Sequence, residues 1–304
     1  MEEELHISED FRCGYATIIG GPNVGKSTLM NAFLQQKISI VTPKAQTTRH
    51  KVLGILSTNE YQVIFLDTPG LIKPKYRLQE VMMQFASSAI EDADLLLLMI
   101  DATNPGTGSE FATNEAWSAL KGLNKSVFLV INKIDLVKKA DLLPVIDSCS
   151  RAYQFKEIFP ISALTREGTT ELLKTVANEL PRHPPLFPLD IVSEQNERFF
   201  VSEIVREKVF LATHQEIPYS TAVDIVEFKD REEGKTLIRA DIYVERDSQK
   251  GIIIGKRGTM LRAIGSSARR EIEEFLQRPV FLDLHVRVKR QWRENEQWLR
   301  RLGY

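Results

Sequence analysis

The chain has 304 residues, 43% hydrophobic and 27% charged, a globular composition with room for two domains of about 100–200 residues each. No apolar run approaches the roughly 18 residues that a membrane span needs, and the acidic start MEEELHISED is unlike a secretion signal, so neither is expected. Cys13 and Cys149 lie far apart without metal-ligand spacing, which predicts reduced, packed side chains and no zinc site.

In chain order, apolar runs that read as buried strands fall at Tyr15–Gly21, Val52–Leu56, Tyr61–Asp67, Leu95–Asp101, Val127–Asn132 and Ile158–Ser162, with amphipathic segments between most of them. Such alternation predicts a doubly wound, mostly parallel sheet. The four polar residues Ser57–Glu60 are too few for a crossover helix, so the strands on either side should form an antiparallel hairpin at one edge.

The alternation ends at PRHPPLFP, where prolines at 181, 184, 185 and 188 can neither continue a helix nor serve a central strand. That divides the chain into 1–180, a linker 181–190, and 191–304. Beyond the linker come a helical segment Glu194–Ala212, two alternating strands Ser220–Phe228 and Thr236–Glu245, and the stretch GIIIGKRGTMLRAIG, whose helix starts near Leu261 and runs to Leu276. A strand Val280–Val288 and a charged helix Trp292–Leu302 close the chain. The order α-β-β-α-α-β-α describes a smaller α+β domain. Gly265 is expected to mark close packing or a bend. From Lys250 to Tyr304 there are 13 Lys and Arg against 6 Asp and Glu, although the whole chain carries a formal net charge of only −1. So basic an end suits either a polyanion partner or a solvated helix face.

Two glycine loops raise the question of chemistry. The first, Gly20-Gly21-Pro22-Asn23-Val24-Gly25-Lys26-Ser27, follows a strand and opens a helix. Glycines let backbone N–H groups curl around a β-phosphate, Lys26 neutralises β- and γ-oxygens, and the Ser27 hydroxyl suits Mg²⁺. By itself the loop specifies only a nucleoside triphosphate. Asp67, at the end of a strand in Asp67-Thr68-Pro69-Gly70, can reach the metal through water, and the Gly70 N–H can meet a γ-phosphate. Asn132-Lys133-Ile134-Asp135 ends another strand. Asp135 can accept from both the ring N–H and the exocyclic amine of guanine, the Lys133 stem can cover the ring, and Asn132 can tie this loop to the phosphate loop. Ser162-Ala163-Leu164 then supplies the Ala163 N–H for the guanine carbonyl. Each motif is weak alone, since Asp67 could be an ordinary strand-end carboxylate and Ser162 a turn residue. Their order, each at a strand end, is what makes them specific.

On these motifs, residues 14–180 resemble a Ras-like GTPase of the translation-factor-related class, an α/β P-loop domain. The resemblance implies GTP and GDP as ligands with Mg²⁺. Nucleotide contacts would come from Gly20, Pro22, Asn23, Val24, Gly25, Lys26, Ser27, Thr28, Asp67, Gly70, Asn132, Lys133, Asp135, Ser162 and Ala163. Metal ligation would fall to Ser27, Thr48 and Asp67, and catalysis to Lys26, Thr48, Gly70 and Asn23. Both Thr47 and Thr48 are candidates for the threonine that closes over the metal, with Thr48 favoured because the family's Thr-Thr-Arg pattern uses its second threonine. The chain departs from Ras at Leu71, where a glutamine would orient the attacking water; leucine has no hydrogen-bonding group. A subgroup with a hydrophobic residue there implies slow intrinsic hydrolysis, with Asn23 helping to hold a K⁺ ion or else merely bracing the loop.

The second loop, Gly255-Lys256-Arg257-Gly258, lacks the Gly-Lys-Ser/Thr of a phosphate loop and is similar to the GXXG clamp of a KH module, which grips about four nucleotides of single-stranded nucleic acid. Its expected RNA contacts are Ile253, Ile254, Gly255, Lys256, Arg257 and Gly258, and the element order through Val288 matches the type II arrangement. The C-terminal helix either faces RNA or packs through Trp292 and Trp298. Taken together, the chain resembles the Era family of bacterial GTPases. That implies binding to the 3′ end region of small-subunit (16S) ribosomal RNA, a part in small-subunit assembly, a monomer in the cytoplasm, and a peripheral place at the inner face of the membrane. Two alternatives stand beside it, another ribosome- or tRNA-associated GTPase and an RNA-binding protein that uses GTP only structurally.

Overall fold

The computed structural model describes residues 8, 10–104, 120, 122–230 and 234–304, and the chain divides into two compact units. The first comprises Met1–Ser39, Thr48–Pro74 and Met82–Glu194. Its strands β1 (Arg12–Gly20), β2 (Val52–Ser57), β3 (Tyr61–Asp67), β4 (Leu95–Asp101), β5 (Ser126–Asn132) and β6 (Glu157–Pro160) form one sheet in the order β2-β3-β1-β4-β5-β6. The helices are α1 (Lys26–Leu34), α2 (Arg77–Asp92), whose first turn belongs to the other unit, α3 (Lys139–Ala152) and α4 (Thr169–Glu179).

The four central strands are enclosed on both faces, which is why Val63–Leu66, Leu95–Ile100 and Val127–Ile131 read as unbroken apolar runs instead of alternating ones. All pairings are parallel except β2 with β3, where Val52 lies opposite Asp67 and Ser57 opposite Gln62, the expected edge hairpin. The Thr58 hydroxyl accepts from the N–H groups of Glu60 and Tyr61 and so closes that turn. β6 stops at Pro160, two residues earlier than expected. Ser162 instead makes an isolated bridge to Glu167. The neighbours of β1 are β3 on one side and β4 on the other, so the chain direction of the crossovers switches at β1 and opens a crevice at the strands' carboxyl ends. Cys13 and Cys149 are buried as free thiols, and burial pushes the Cys149 thiol up to about 11.

The proline-rich stretch is pinned to the first unit. Cys13 donates its N–H to Pro181 O, His183 to Phe11 O, and Ile55 to Val192 O. Gln62, fully buried on β3, accepts at Oε1 from the N–H groups of Leu186 and Phe187 and donates through Nε2 to Phe187 O. The segment's backbone groups are thus met by a single bridge to β1 at Arg12 and Arg182 and, further on, by one glutamine amide.

The second unit comprises Gln195–Tyr304 together with two short segments from earlier in the chain, Ile40–Thr47 and Lys75–Val81. Its elements are α5 (Glu197–Ala212), β7 (Ala222–Lys229), β8 (Thr236–Val244), α6 (Asp247–Ile254), α7 (Thr259–Leu276), β9 (Val280–Val288) and α8 (Glu296–Arg301), in the α-β-β-α-α-β-α order expected. β8 is central, antiparallel to β7 and parallel to β9, and the α6–α7 pair supplies the crossover a parallel pair requires. Val201, Val205 and Val209 of α5 share one core with Ile264, Ala268 and Ile272 of α7 and with Ile238, Ala240 and Ile242 of β8. Gly265 lies within α7, where a Cβ would meet only Leu284 Cδ1 at 3.4 Å, an ordinary contact, and the helix runs on through it. Among the described residues no helix is long and apolar enough to cross a membrane.

Candidate nucleotide site and RNA-facing loop

The first glycine loop lies at the carboxyl end of β1, and its backbone explains its residues. Gly20 (φ 151°) and Gly25 (φ 106°) occupy conformations that side chains rarely adopt, and a Cβ on them would come within 2.3 Å of Met99 O and 2.2 Å of Asn132 Nδ2 respectively. Asn23 is also left-handed, with φ 63°. Gly70 passes so close to the loop that a Cβ would stand 2.9 Å from the Pro22 backbone. Val24 is buried, whereas Pro22 and Asn23 are exposed. Thr28 sits in the first turn of α1.

Lys26 is enclosed, and its ammonium donates to Gly21 O at 2.9 Å and Gly20 O at 3.3 Å. Desolvation pushes its pKa down to about 8, against the pull of nearby Asp67. Asp67 is fully buried. Burial raises its pKa, opposed by the hydroxyl of Ser27 and the charge of Lys26. Ser27 Oγ donates to Asp67 Oδ2 at 2.6 Å and lies 2.8 Å from Thr48 Oγ1, which itself donates to Asp67 Oδ2 at 3.3 Å. Among the described residues the other carboxylate oxygen, Oδ1, is buried and makes no hydrogen bond of ordinary geometry, although the nearby Ser39 hydroxyl also favours the charge. Three hard oxygen donors from separate elements therefore converge on a charge that burial disfavours, an arrangement suited to a small divalent cation with oxygen ligands. The hydroxyl of the alternative threonine, Thr47, is engaged within its own segment: it donates to Lys44 O at 2.7 Å and lies 2.6 Å from that of Thr42.

Asn132 does what its place in the sequence suggests. Its Nδ2 donates to Val24 O at 2.7 Å and so ties the β5 loop to the phosphate loop. Its Oδ1 accepts the Ala163 N–H at 2.8 Å. That N–H was expected to meet a guanine carbonyl; here it is already engaged, because Asn132 lies between the two loops. Ser162 is buried and its hydroxyl accepts from the Thr165 N–H at 3.1 Å, which makes it a brace for the loop. Lys133 is left-handed (φ 70°), its ammonium 2.5 Å from Asp101 Oδ2, while Asp135 is exposed beside it. Asp101 escaped the motif reading because a carboxylate ending a strand carries no signal until β4 and β5 are placed side by side, with Asp101 opposite Asn132. Leu71 is buried in the core with Ile19 and Ala86, its N–H bonded to Gly20 O at 3.1 Å, so its side chain serves packing.

The second loop has a different character. Gly255 (φ 72°), Arg257 (φ 53°) and Gly258 (φ 78°) are left-handed in close succession, and a Cβ on Gly255 would strike Met260 at 2.7 Å. Lys256 and Arg257 are exposed at the N-terminus of α7, and Arg262 donates back to Arg257 O at 2.6 Å. Ile254 is half-buried. Ile253, however, is fully buried in the core, and so corrects the expectation that it touches RNA; the helical turn that precedes the loop points Ile253 inward and leaves Ile252 exposed. The basic end is also less available than its count suggests. Arg278, Arg287, Arg293, Arg300 and Arg301 pair with Glu197, Asp241, Glu245, Glu296 and Asp224, and Trp292 is buried with its indole N–H donating to Ser220 O at 2.9 Å. Lys256, Arg257, Arg262, Arg269 and Arg270 are exposed and have no carboxylate partner among the described residues.

A family model described as a 50S ribosome-binding GTPase matches residues 15–133, and one described as a KH domain matches residues 216–293. The chain is 49% identical over 297 residues to GTPase Era of Geotalea daltonii, covering 97% of this chain and 99% of that one. It is 47% identical over 292 residues to GTPase Era of Lacticaseibacillus paracasei, covering 96% of each. Among solved structures it is similar to a variant of Aquifex aeolicus Era bound to GDP·AlF4⁻, with TM-score 0.90, 44% identity, and 96% and 99% of the two chains covered. It is equally similar to Era in complex with MgGDPNP and nucleotides 1506–1542 of 16S ribosomal RNA, with TM-score 0.91, 44% identity, and 97% and 99% covered.

If Lys26 must be charged to hold phosphate, GTP affinity falls as pH rises through about 8, because the nucleotide-free lysine loses its proton there while the bound one keeps it. Fluorescent GTP-analogue titrations from pH 7 to 9.5 should show a loss of up to about tenfold per pH unit above that point. Lys26→Arg should bind more weakly with a flat profile, and a flat profile in the wild type would remove the assignment.

Proposed function

The chain belongs to the Era family of GTPases, and we propose that it is a GTP-hydrolysing switch that binds the 3′ end region of small-subunit ribosomal RNA and serves assembly of that subunit. GTP is its substrate, with Mg²⁺ as cofactor and GDP as product. The reading is carried by one observation above the rest: the Ser27 and Thr48 hydroxyls lie 2.8 Å apart and both bond one oxygen, Oδ2, of the buried Asp67 carboxylate, within 3.3 Å.

In this reading Ser27, Thr48 and Asp67 hold the metal, whose chemistry when bound is to neutralise charge on the β- and γ-phosphate oxygens. Lys26 adds a second positive charge at those oxygens, and the Gly70 N–H marks the γ-position. Asp135 reads the guanine edge, Lys133 covers the ring under the hold of Asp101, and Asn132 keeps that loop in register with the phosphate loop. Thr48 and Gly70 respond to the γ-phosphate, and hydrolysis releases them. With Leu71 committed to the core, no glutamine orients the attacking water, and the reading assigns slow intrinsic turnover in which Asn23 helps to hold K⁺. The Lys256–Arg257 loop, at the positive end of α7, takes the RNA backbone, and Ile254 with exposed Ile252 borders the bases. The cytoplasm is the proposed place of action, with the inner face of the membrane as a peripheral second one.

Charge reversal at the loop tests the division of labour. Lys256→Asp with Arg257→Asp should weaken binding of a single-stranded 3′-end oligonucleotide at least tenfold and flatten its salt dependence by about two phosphate contacts, with GTP-analogue affinity unchanged. Loss of GTP affinity instead would reverse the assignment of the two loops. For the metal-assisted step, single-turnover hydrolysis should run several-fold faster in potassium than in sodium salt, and Asn23→Ala should erase the difference. Equal rates in the two salts would dismiss the role given to Asn23.

A further inference from the structure

Within the second unit, helix α5 grips the short segment Ile40–Thr47 at both ends. Glu203, Arg206, Glu207 and Phe210 lie three or four residues apart and so share one helix face. Arg206 is only 1% exposed, and its Nη2 donates to Thr47 O at 2.5 Å. Glu203 holds the same guanidinium through Nε at 2.7 Å and Nη2 at 2.5 Å, and the Phe210 ring lies 5.1 Å from its centre. At the other end of the segment, Glu207 Oε1 accepts the Val41 N–H at 3.1 Å, with Lys208 2.7 Å from the second oxygen. Between them the Lys44 ammonium donates to Phe210 O and Thr213 O, carbonyls at the negative end of the helix dipole. Inside the segment, the Thr42 and Thr47 hydroxyls lie 2.6 Å apart.

An arginine so enclosed serves stability poorly: among the described residues one of its nitrogens, Nη1, is buried without a partner, and apolar side chains commonly replace buried ion pairs at no loss. What it does fix is a peptide plane. The Thr47 carbonyl and the Thr48 Cα are held in that plane, so gripping the oxygen restricts where Thr48 begins. The Thr48 hydroxyl is the one placed 2.8 Å from Ser27 Oγ.

We infer that α5 is a clamp for Ile40–Thr47, with Arg206 and Glu207 as positioning residues that preset Thr48 for the GTP state. This rests on the reading of Thr48 as a ligand used with GTP and not with GDP. Arg206 and Glu207 touch neither nucleotide nor metal in this account; they act through the segment, and nucleotide discrimination is the quantity they change.

The test compares full-length wild type with Arg206→Lys, with Glu203→Gln/Arg206→Met, which strands no buried charge, and with Lys44→Met, which removes the two hydrogen bonds to Phe210 O and Thr213 O. Thr48→Ala is the control. Two readouts are needed: hydrogen–deuterium exchange of residues 40–48 without nucleotide, and the ratio of GTP-analogue to GDP affinity as Mg²⁺ is varied. In the double variant, exchange across 40–47 should quicken about tenfold and the affinity ratio fall about tenfold, with a higher Mg²⁺ requirement for the analogue and GDP affinity within about twofold of wild type. Arg206→Lys should recover part of both, and Lys44→Met should move both in the same direction by less. A double variant that melts and binds RNA like the wild type, yet exchanges at the wild-type rate with an unchanged ratio, overturns the proposal. Should that variant not fold, Lys44→Met decides between the same two outcomes. Thr48→Ala separates the two claims. If it leaves the affinity ratio intact, the reading of Thr48 fails, whereas exchange in 40–47 still decides whether the clamp exists.

Discussion

The structure turns on the carboxylate of Asp67, fully buried at the end of β3 with one oxygen shared by two hydroxyls and the other without a hydrogen-bond partner among the described residues. Burial disfavours its charge, and the sheet places it where retreat to solvent is impossible. Its neighbours follow from that constraint. Ser27 comes from the start of α1 and Thr48 from the approach to β2, and both direct hydroxyls at Oδ2. Lys26, itself desolvated, brings an opposing charge nearby. A site of this kind stores an unmet electrostatic demand that phosphate and a divalent cation together satisfy, which is how a fold built for stability can respond to the loss of one phosphate.

The sheet and the phosphate loop were legible in the chain itself because the physics behind them is local. Parallel strands enclosed on both faces must be apolar throughout, as Leu95–Ile100 is, and only glycine tolerates the backbone at positions 20 and 25. The hairpin at Ser57–Glu60 followed from loop length alone. The α+β order of the second unit was equally readable, since its helices and strands differ in period.

What escaped was set by contacts distant in sequence. Nothing local marks Asp101 as the partner of Lys133, because the two meet only across adjacent strands. Nor does PRHPPLFP announce that Gln62 will hold it, or TPKAQTTRH that part of it belongs with the second unit while Thr48 belongs with the first. Ile253 was misjudged for a related reason: three consecutive isoleucines look alike in sequence, and only the rotation of α6 turns the middle one into the core. The basic end was overcounted as well, because five of its arginines meet carboxylates, four of them on other elements, whereas among the described residues Lys256, Arg257 and Arg262 at the Gly255–Gly258 loop meet none.

Burial disfavours the ionised form of Asp67 and a bound cation would favour it, and the carboxyl carbon of that side chain reports both directly. Carbon-13 NMR of nucleotide-free protein, with Asp67 assigned through Asp67→Asn, should show a carboxyl that titrates above the ordinary 3.8. Adding Mg²⁺ with a non-hydrolysable GTP analogue should drive that titration well below its free value, since a bound cation favours the ionised form. A carboxyl that titrates normally without ligand and does not respond to Mg²⁺ and the analogue would contradict the account.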